Sequence, residues 1–385
     1  MWEAGQQRFS VQASVFMGSL ALGISLPLIP VFGQTLGASY ADLGFLGAVT
    51  YLPYVLATLL LGLVADKARG FPIFSVAMFA NAAGLALLLP VTTVTDLFIV
   101  RSLGGAAQGA YWTSSEILIL AASREDRRLA SVARYNFVTG TGFFLGPAIG
   151  GFVTAAFGFG ALFSLSAGVF LAGGVLATVL VGHTSRRERE TTTPSVSVQG
   201  GPRWGVLLVL ALVGCAYVVL AVIISILPAY LHSLRIGLPE IGGAFAAMWA
   251  TRLLAFLLAT PLAAFGARKI VAVAGLLLAV SFIGIASYSE LLILVGLMAV
   301  VGFALGAYTP ITMSATARAF PGVRLGVAMG AYEAVFGISS IVGPVVAGLL
   351  AESVSPTSPF LFVAMVSLLA AALAILVGRR IPGLS

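Results

Sequence analysis

Charge is what this chain has least of. Asp, Glu, Lys and Arg make up 9% of its 385 residues, where a soluble domain carries about 25%. A surface drawn from so few charges would not stay dissolved, so lipid is the expected solvent. Cysteine is scarcer still: Cys215 stands alone in an apolar run, which excludes a disulfide framework and a cysteine metal site. The two histidines, His183 and His232, fall in different parts of the expected topology and cannot share a site. No phosphate loop, metal cluster or nucleophile–base constellation is visible, so neither an enzyme nor a cofactor or metal is expected. The start of the chain also lacks a basic n-region followed by a short apolar core and a small-residue cleavage site. Its first apolar run is therefore read as a membrane span.

What is abundant is apolar: 60% of the residues are hydrophobic and the mean hydropathy is +1.09. A helix crossing ~30 Å of hydrocarbon needs about 20 residues. Twelve segments meet that length, near 9–33, 41–65, 71–91, 96–121, 129–157, 160–182, 204–232, 239–264, 269–287, 290–316, 324–350 and 357–378. The longest polar break, His183 to Arg203, divides the chain into an N-terminal bundle over 1–182, a cytoplasmic linker over 183–203 and a C-terminal bundle over 204–385. With the N-terminus inside, sixteen of the 20 Lys and Arg fall in cytoplasmic pieces, and Arg235 alone falls outside. Arg101, Arg134 and Arg252 lie within spans. That bias is the positive-inside pattern, and it accounts for the net charge of +7 without a nucleic-acid partner. The expected fold is all-α and integral to the membrane, with twelve helices in two pseudo-symmetric six-helix bundles and both termini cytoplasmic.

The halves repeat. An offset of 197 residues lays Gly109–Tyr111 ("GAY") on Gly306–Tyr308 ("GAY"), Tyr135 on Tyr332, Gly146-Pro147 on Gly343-Pro344 and Gly151 on Gly348. An offset of 198 lays Pro30 on Pro228, Asp42 on Glu240 and Gly44 on Gly242. A parallel repeat of two six-helix halves is a transporter architecture, with the substrate near the midplane between them.

Three motifs carry a family resemblance. The loop after span 2 reads "GLVADKARG", with Gly62, Asp66, Lys67 and Arg69; span 4 opens "LFIVRSLGGAAQG", with Leu97, Arg101 and Gly105; span 5 holds Gly142, Gly146, Pro147, Gly150 and Gly151 as G-x-x-x-G-P-x-x-G-G. Along its whole length the chain resembles the major facilitator superfamily, most closely its twelve-helix drug:proton antiporter branch. Two departures stand out: Gly104 replaces the usual Gln of the span 4 motif, and "PLAAFGARK" in the second half has lost its acid. The resemblance implies a secondary active transporter working by alternating access: a monomeric, multi-pass protein of the cytoplasmic membrane. It implies proton-coupled multidrug efflux of amphipathic small molecules, with sodium left open as the coupling ion. It also implies that Asp66 latches the outward-facing state and that Arg101 takes part in proton transfer. A simple topology anchor is the other reading of Asp66. Span 1 carries no membrane-embedded acid, and the embedded charges sum to +1. A symporter or facilitator for an organic anion or other metabolite is therefore the alternative.

The residues themselves point to sites. Lipid gives helices little reason to associate, so small residues that let backbones approach hold them together. Gly142, Gly146 and Gly150 form such a stripe, serving gating motion or static packing. Embedded charges cost ~2.5–3.5 kcal/mol or more each at a helix centre. Arg101, Gly105, Gln108, Trp112 and Glu116 share one face of span 4, and Glu116 lies at similar depth to Arg134, as a structural pair or a proton carrier. Glu333 is the first candidate for the proton site, unless Arg252 neutralises it. Arg252 follows Trp249 and suits an anionic or aromatic substrate, or else bridges helices. Tyr111, Trp112, Tyr217, Trp249, Tyr308, Tyr332 and Phe336 are candidate cavity walls or packing residues.

Overall fold

The computed structural model describes residues 2–64, 70–121, 128–181, 203–258, 262, 265–319 and 325–377. Their regular structure is entirely helical: α1 (Trp2–Ser25), α2 (Ile29–Thr35), α3 (Tyr40–Val64), α4 (Gly70–Ala86), α5 (Val94–Ala121), α6 (Arg128–Val181), α7 (Arg203–Ser225), α8 (Leu227–Ser233), α9 (Leu238–Leu257), α10 (Ala267–Ser287), α11 (Leu291–Ala319), α12 (Leu325–Ser353) and α13 (Ser358–Val377). Among the described residues nine helical segments are long and apolar enough to cross a membrane, and Pro72–Ala86 is a shorter apolar helix. The helix α5 has the length but carries Arg101, Gln108 and Glu116 and is not one of the nine. Asp66, Lys67 and Arg69 lie outside the described residues, as does nearly all of the polar linker.

Prolines and glycines set where the helices break. Pro30 opens α2 after a 3-10 turn at Leu26–Leu28, and Pro228 opens α8, so the first span of each half is interrupted at equivalent places. Proline fits a first helical turn because its missing N–H is unpaired there anyway. Two segments expected as separate spans, 129–157 and 160–182, run together as α6, interrupted only at Gly158 with φ 82° and ψ 176°. A side chain is strongly disfavoured in that conformation, which glycine adopts readily. The starts of α3 and α5 are each closed by a reciprocal cap: Ser39 N donates to Asp42 Oδ2 at 2.9 Å and Thr93 N to Asp96 Oδ2 at 3.1 Å. In return Asp42 N and Asp96 N donate to the Ser39 and Thr93 hydroxyls. Each box satisfies backbone N–H groups that a helix start leaves open.

The chain forms two compact units. One holds Met1–Ala38, Val49–Thr192 and Gly237–Ala246; the other holds Ser39–Ala48, Thr193–Ile236 and Ala247–Ser385. Each unit thus takes in the opening turns of one helix, α9 or α3, from the other half of the sequence. In the first unit α6 packs along α1, and α4 packs on α5 and α6; in the second, α10 packs along α13 and α7 along α12.

The glycine stripe is where α6 meets α1. A Cβ at Gly142 would lie 2.7 Å from Leu20 N, one at Gly146 would lie 2.5 Å from Gly23 C, and one at Gly150 would overlap Ile24 O. Only hydrogen fits at these three positions. The second copy is looser, for a Cβ at Gly343 would lie 3.3 Å from Val218 Cα.

The repeat is legible in individual contacts. Tyr111 Oη donates to Val15 O at 2.9 Å and Tyr308 Oη to Leu212 O at 3.0 Å, partners 96 residues apart in both halves. A Cβ at Gly109 would lie 2.5 Å from Tyr54 O, and one at Gly306 would lie 2.6 Å from Arg252 O. The doubled "GAY" therefore has a purpose. Its glycine seats α5 on α3, or α11 on α9, and its tyrosine bonds the first helix of the same half.

Candidate functional site

In the first unit the polar face of α5 is only partly hidden. Gln108 is buried, Arg101 and Trp112 are half-buried and Glu116 is exposed. Arg101 lies within electrostatic reach of Tyr51 on α3, and its buried Nε has no hydrogen-bond partner. Trp112 packs edge-on against Tyr111 at 4.9 Å and stacks on Phe143 at 6.2 Å. Tyr111 is fully buried, packed between Phe74 and Phe170 as well as bonded to Val15. Arg134 is exposed on α6, one position before Tyr135, whose hydroxyl meets Ser115 at 2.9 Å. Tyr51 and the Ser115–Tyr135 bond were not foreseen from sequence. Both depend on which helices become neighbours.

The second unit brings the remaining candidates together. Tyr217 of α7 donates its hydroxyl to that of Tyr332 of α12 at 2.9 Å. Its ring meets Tyr332 edge-on at 5.5 Å and Phe336 at 4.7 Å. Both phenols lie within electrostatic reach of Arg252 and of Glu333. Glu333 itself is half-buried. Arg252 of α9 is 7% exposed, with its guanidinium carbon 4.8 Å from the centre of the Trp249 ring and 5.8 Å from that of Phe256. Its Nε and Nη1 are buried without hydrogen-bond partners, and the groups acting on its charge are the Tyr217 and Tyr332 oxygens. No ion pair joins Arg252 to Glu333 among the described residues. Tyr308, fully buried and bonded to Leu212, borders this cluster within electrostatic reach of Tyr332.

Chemically, this cluster sets a half-buried carboxyl and a buried guanidinium with two unmet N–H donors among phenols and aromatic rings. Among the described residues no group of His, Cys, Asp and Glu could hold a metal ion.

The family model of the Major Facilitator Superfamily matches residues 13–222 and 209–384 of the chain. The chain belongs to this superfamily. Membership makes it a multi-pass membrane protein. The superfamily fold extends to a solved structure, the nucleoside transporter NupG, with a TM-score of 0.76 at 15% identity, covering 96% of this chain and 99% of that one. Among curated proteins, the quinolone resistance protein NorA of Staphylococcus aureus is 28% identical over 155 residues, 38% of this chain and 38% of NorA. The multidrug resistance protein MdtG of Klebsiella pneumoniae is 29% identical over 177 residues, 43% of this chain and 42% of MdtG. The chain thus spans about two fifths of the length of the curated relatives it matches.

Proposed function

We propose that this transporter exports amphipathic small molecules in exchange for protons, by alternating access. Twelve spans in two six-helix bundles, with both termini cytoplasmic and the chain in the cytoplasmic membrane, form the frame of this reading. The observation that carries it is the Tyr217–Tyr332–Glu333 group, where a carboxyl half-buried among aromatic rings has no ion pair to Arg252. A carboxyl without a fixed counter-charge can take up and release a proton as its surroundings change. Glu333 is the proton site in this scheme, with Arg101 and Glu116 on α5 and Arg134 on α6 as further participants. Gln108, Trp112, Trp249 and Phe336 contribute walls. Asp66 with Lys67 and Arg69 forms a latch favouring the outward-facing state, and the α6 glycine stripe is the surface on which α1 moves. The names of NorA and MdtG support drugs such as quinolones as the first substrates to try.

Inverted vesicles holding a proton gradient test the proposal. Addition of a quinolone or another amphipathic drug should dissipate the gradient when the protein is present. A gradient that stays intact while substrate crosses would mean a facilitator. Substrate and protons moving in the same direction would favour the second reading, a symporter for an organic anion. That second reading draws its support from the unpaired Arg252.

A further inference from the structure

An arginine inside a membrane protein is expensive, and those that persist there pair with an acid or a backbone carbonyl or serve a ligand. Arg252 is nine-tenths buried, and two of its nitrogens, Nε and Nη1, meet no acceptor. Trp249 and Phe256 face its guanidinium carbon. Ring faces compensate part of the charge but accept none of the in-plane N–H groups. An unmet buried donor is costly, so this arrangement is poised for an acceptor brought from outside. Nε and Nη1 lie on the two different edges of the guanidinium fork, each shared with Nη2, so a carboxylate placed on either edge would meet one of the unpartnered donors.

The neighbouring groups agree with that chemistry. The phenols of Tyr217 and Tyr332 act on the same guanidinium, and hydroxyls both donate and accept. Trp249 and Phe256 supply apolar, flat surface around the charged group, and Phe336 packs on Tyr217 beside it. The acid of this cluster, Glu333, does not pair with Arg252. It leaves the cation available.

We propose that Arg252, with Tyr217 and Tyr332, is the receptor for a carboxylate on an aromatic or amphipathic substrate, so that the second unit selects anionic or zwitterionic molecules over purely cationic ones. This rests on the transporter reading above for the identity of the site as a substrate site, but it concerns binding and needs no proton gradient.

Equilibrium binding to the purified full-length protein in detergent tests it, with three probes of one shape: 2-naphthoate, 2-naphthamide and 2-naphthylmethylammonium. Quenching of tryptophan fluorescence and the rise in melting temperature both report occupancy. Naphthoate should bind about ten-fold or more tightly than the amide, as expected for a charge-assisted, bidentate contact, and the ammonium should bind weakest. Arg252→Gln should remove the preference for naphthoate over the amide. Arg252→Lys, which keeps the charge without the fork, should restore part of it. Equal binding of the three probes by the natural protein, or a preference for the ammonium, would overturn the proposal without any variant. So would an unchanged naphthoate preference in a folded Arg252→Gln protein. If naphthoate binds as expected but no drug dissipates a proton gradient, proton coupling fails and the carboxylate site stands. If gradients are dissipated but naphthoate has no advantage, the site fails and coupling stands.

Discussion

At the scale of single residues, Tyr111 and Tyr308 give the clearest case of one interaction used twice. Each is fully buried and donates to a carbonyl on the first helix of its own half, Val15 or Leu212. A hydrogen bond of this kind contributes about 0.5–1.5 kcal/mol net. Tyr111→Phe and Tyr308→Phe should therefore each lower the melting temperature measurably and by similar amounts. An effect in one half only would mean that the halves do not share the interaction. The positions of these tyrosines were visible in the repeated "GAY", and their bonding was not, because the partner lies 96 residues away. The embedded charges follow the same rule. Sequence marks Arg252 and Glu333 as costly and hence meaningful, yet it leaves open whether they neutralise each other. Packing decides that, by facing Arg252 toward Trp249, Phe256 and two phenols instead.

At the scale of elements, the glycines of α6 answer why so apolar a helix contains so many helix-breaking residues. The stripe meets Ser19, Gly23 and Ile24 of α1 at distances that exclude a methyl group. Gly146→Ala should destabilise the protein by about 1–3 kcal/mol, the usual cost of overpacking. Gly168, farther along α6, would meet nothing within 4 Å on gaining a Cβ. Gly168→Ala should be neutral or stabilising, since alanine is favoured over glycine in a helix by ~1 kcal/mol. Melting curves of the two variants read the contrast directly, and equal effects would refute the close-packing account of the stripe. The four-residue spacing made this surface legible from the sequence. The break at Gly158 was placed between two expected spans, but glycines are frequent on either side and only the backbone angles single it out.

At the scale of the molecule, the repeat reappears where the units exchange helix ends. In one unit the start of α3 meets α12, where a Cβ at Gly44 would lie 2.5 Å from Pro344 O and one at Gly348 would lie 2.9 Å from Gly44 Cα. In the other the start of α9 meets α6, where a Cβ at Gly242 would overlap Pro147 O and one at Gly151 would lie 3.0 Å from Pro239 Cα. The offsets of 197 and 198 relate one set to the other. In the second unit Glu352 Oε2 also accepts the Tyr40 N–H at 3.1 Å. Under alternating access such contacts must form and part in each cycle. Gly44→Val and Gly242→Val should each cut the transport rate at least ten-fold while the protein still folds and inserts, as judged by yield and melting. Wild-type rates in both would remove these contacts from the cycle. Sequence supplied the two halves and their spacing. It could not show that the opening turns of α3 and α9 associate with the opposite unit, since that depends on the tertiary meeting of four glycines and three prolines.

Substrate-driven proton flux in proteoliposomes tests most directly whether Glu333 carries the coupled proton. Natural protein and Glu333→Gln are compared in the same preparation, with substrate counterflow measured alongside. Glu333→Gln should still exchange substrate for substrate but no longer move protons in response to it. Proton flux at the natural rate in a folded Glu333→Gln protein would contradict that role for Glu333.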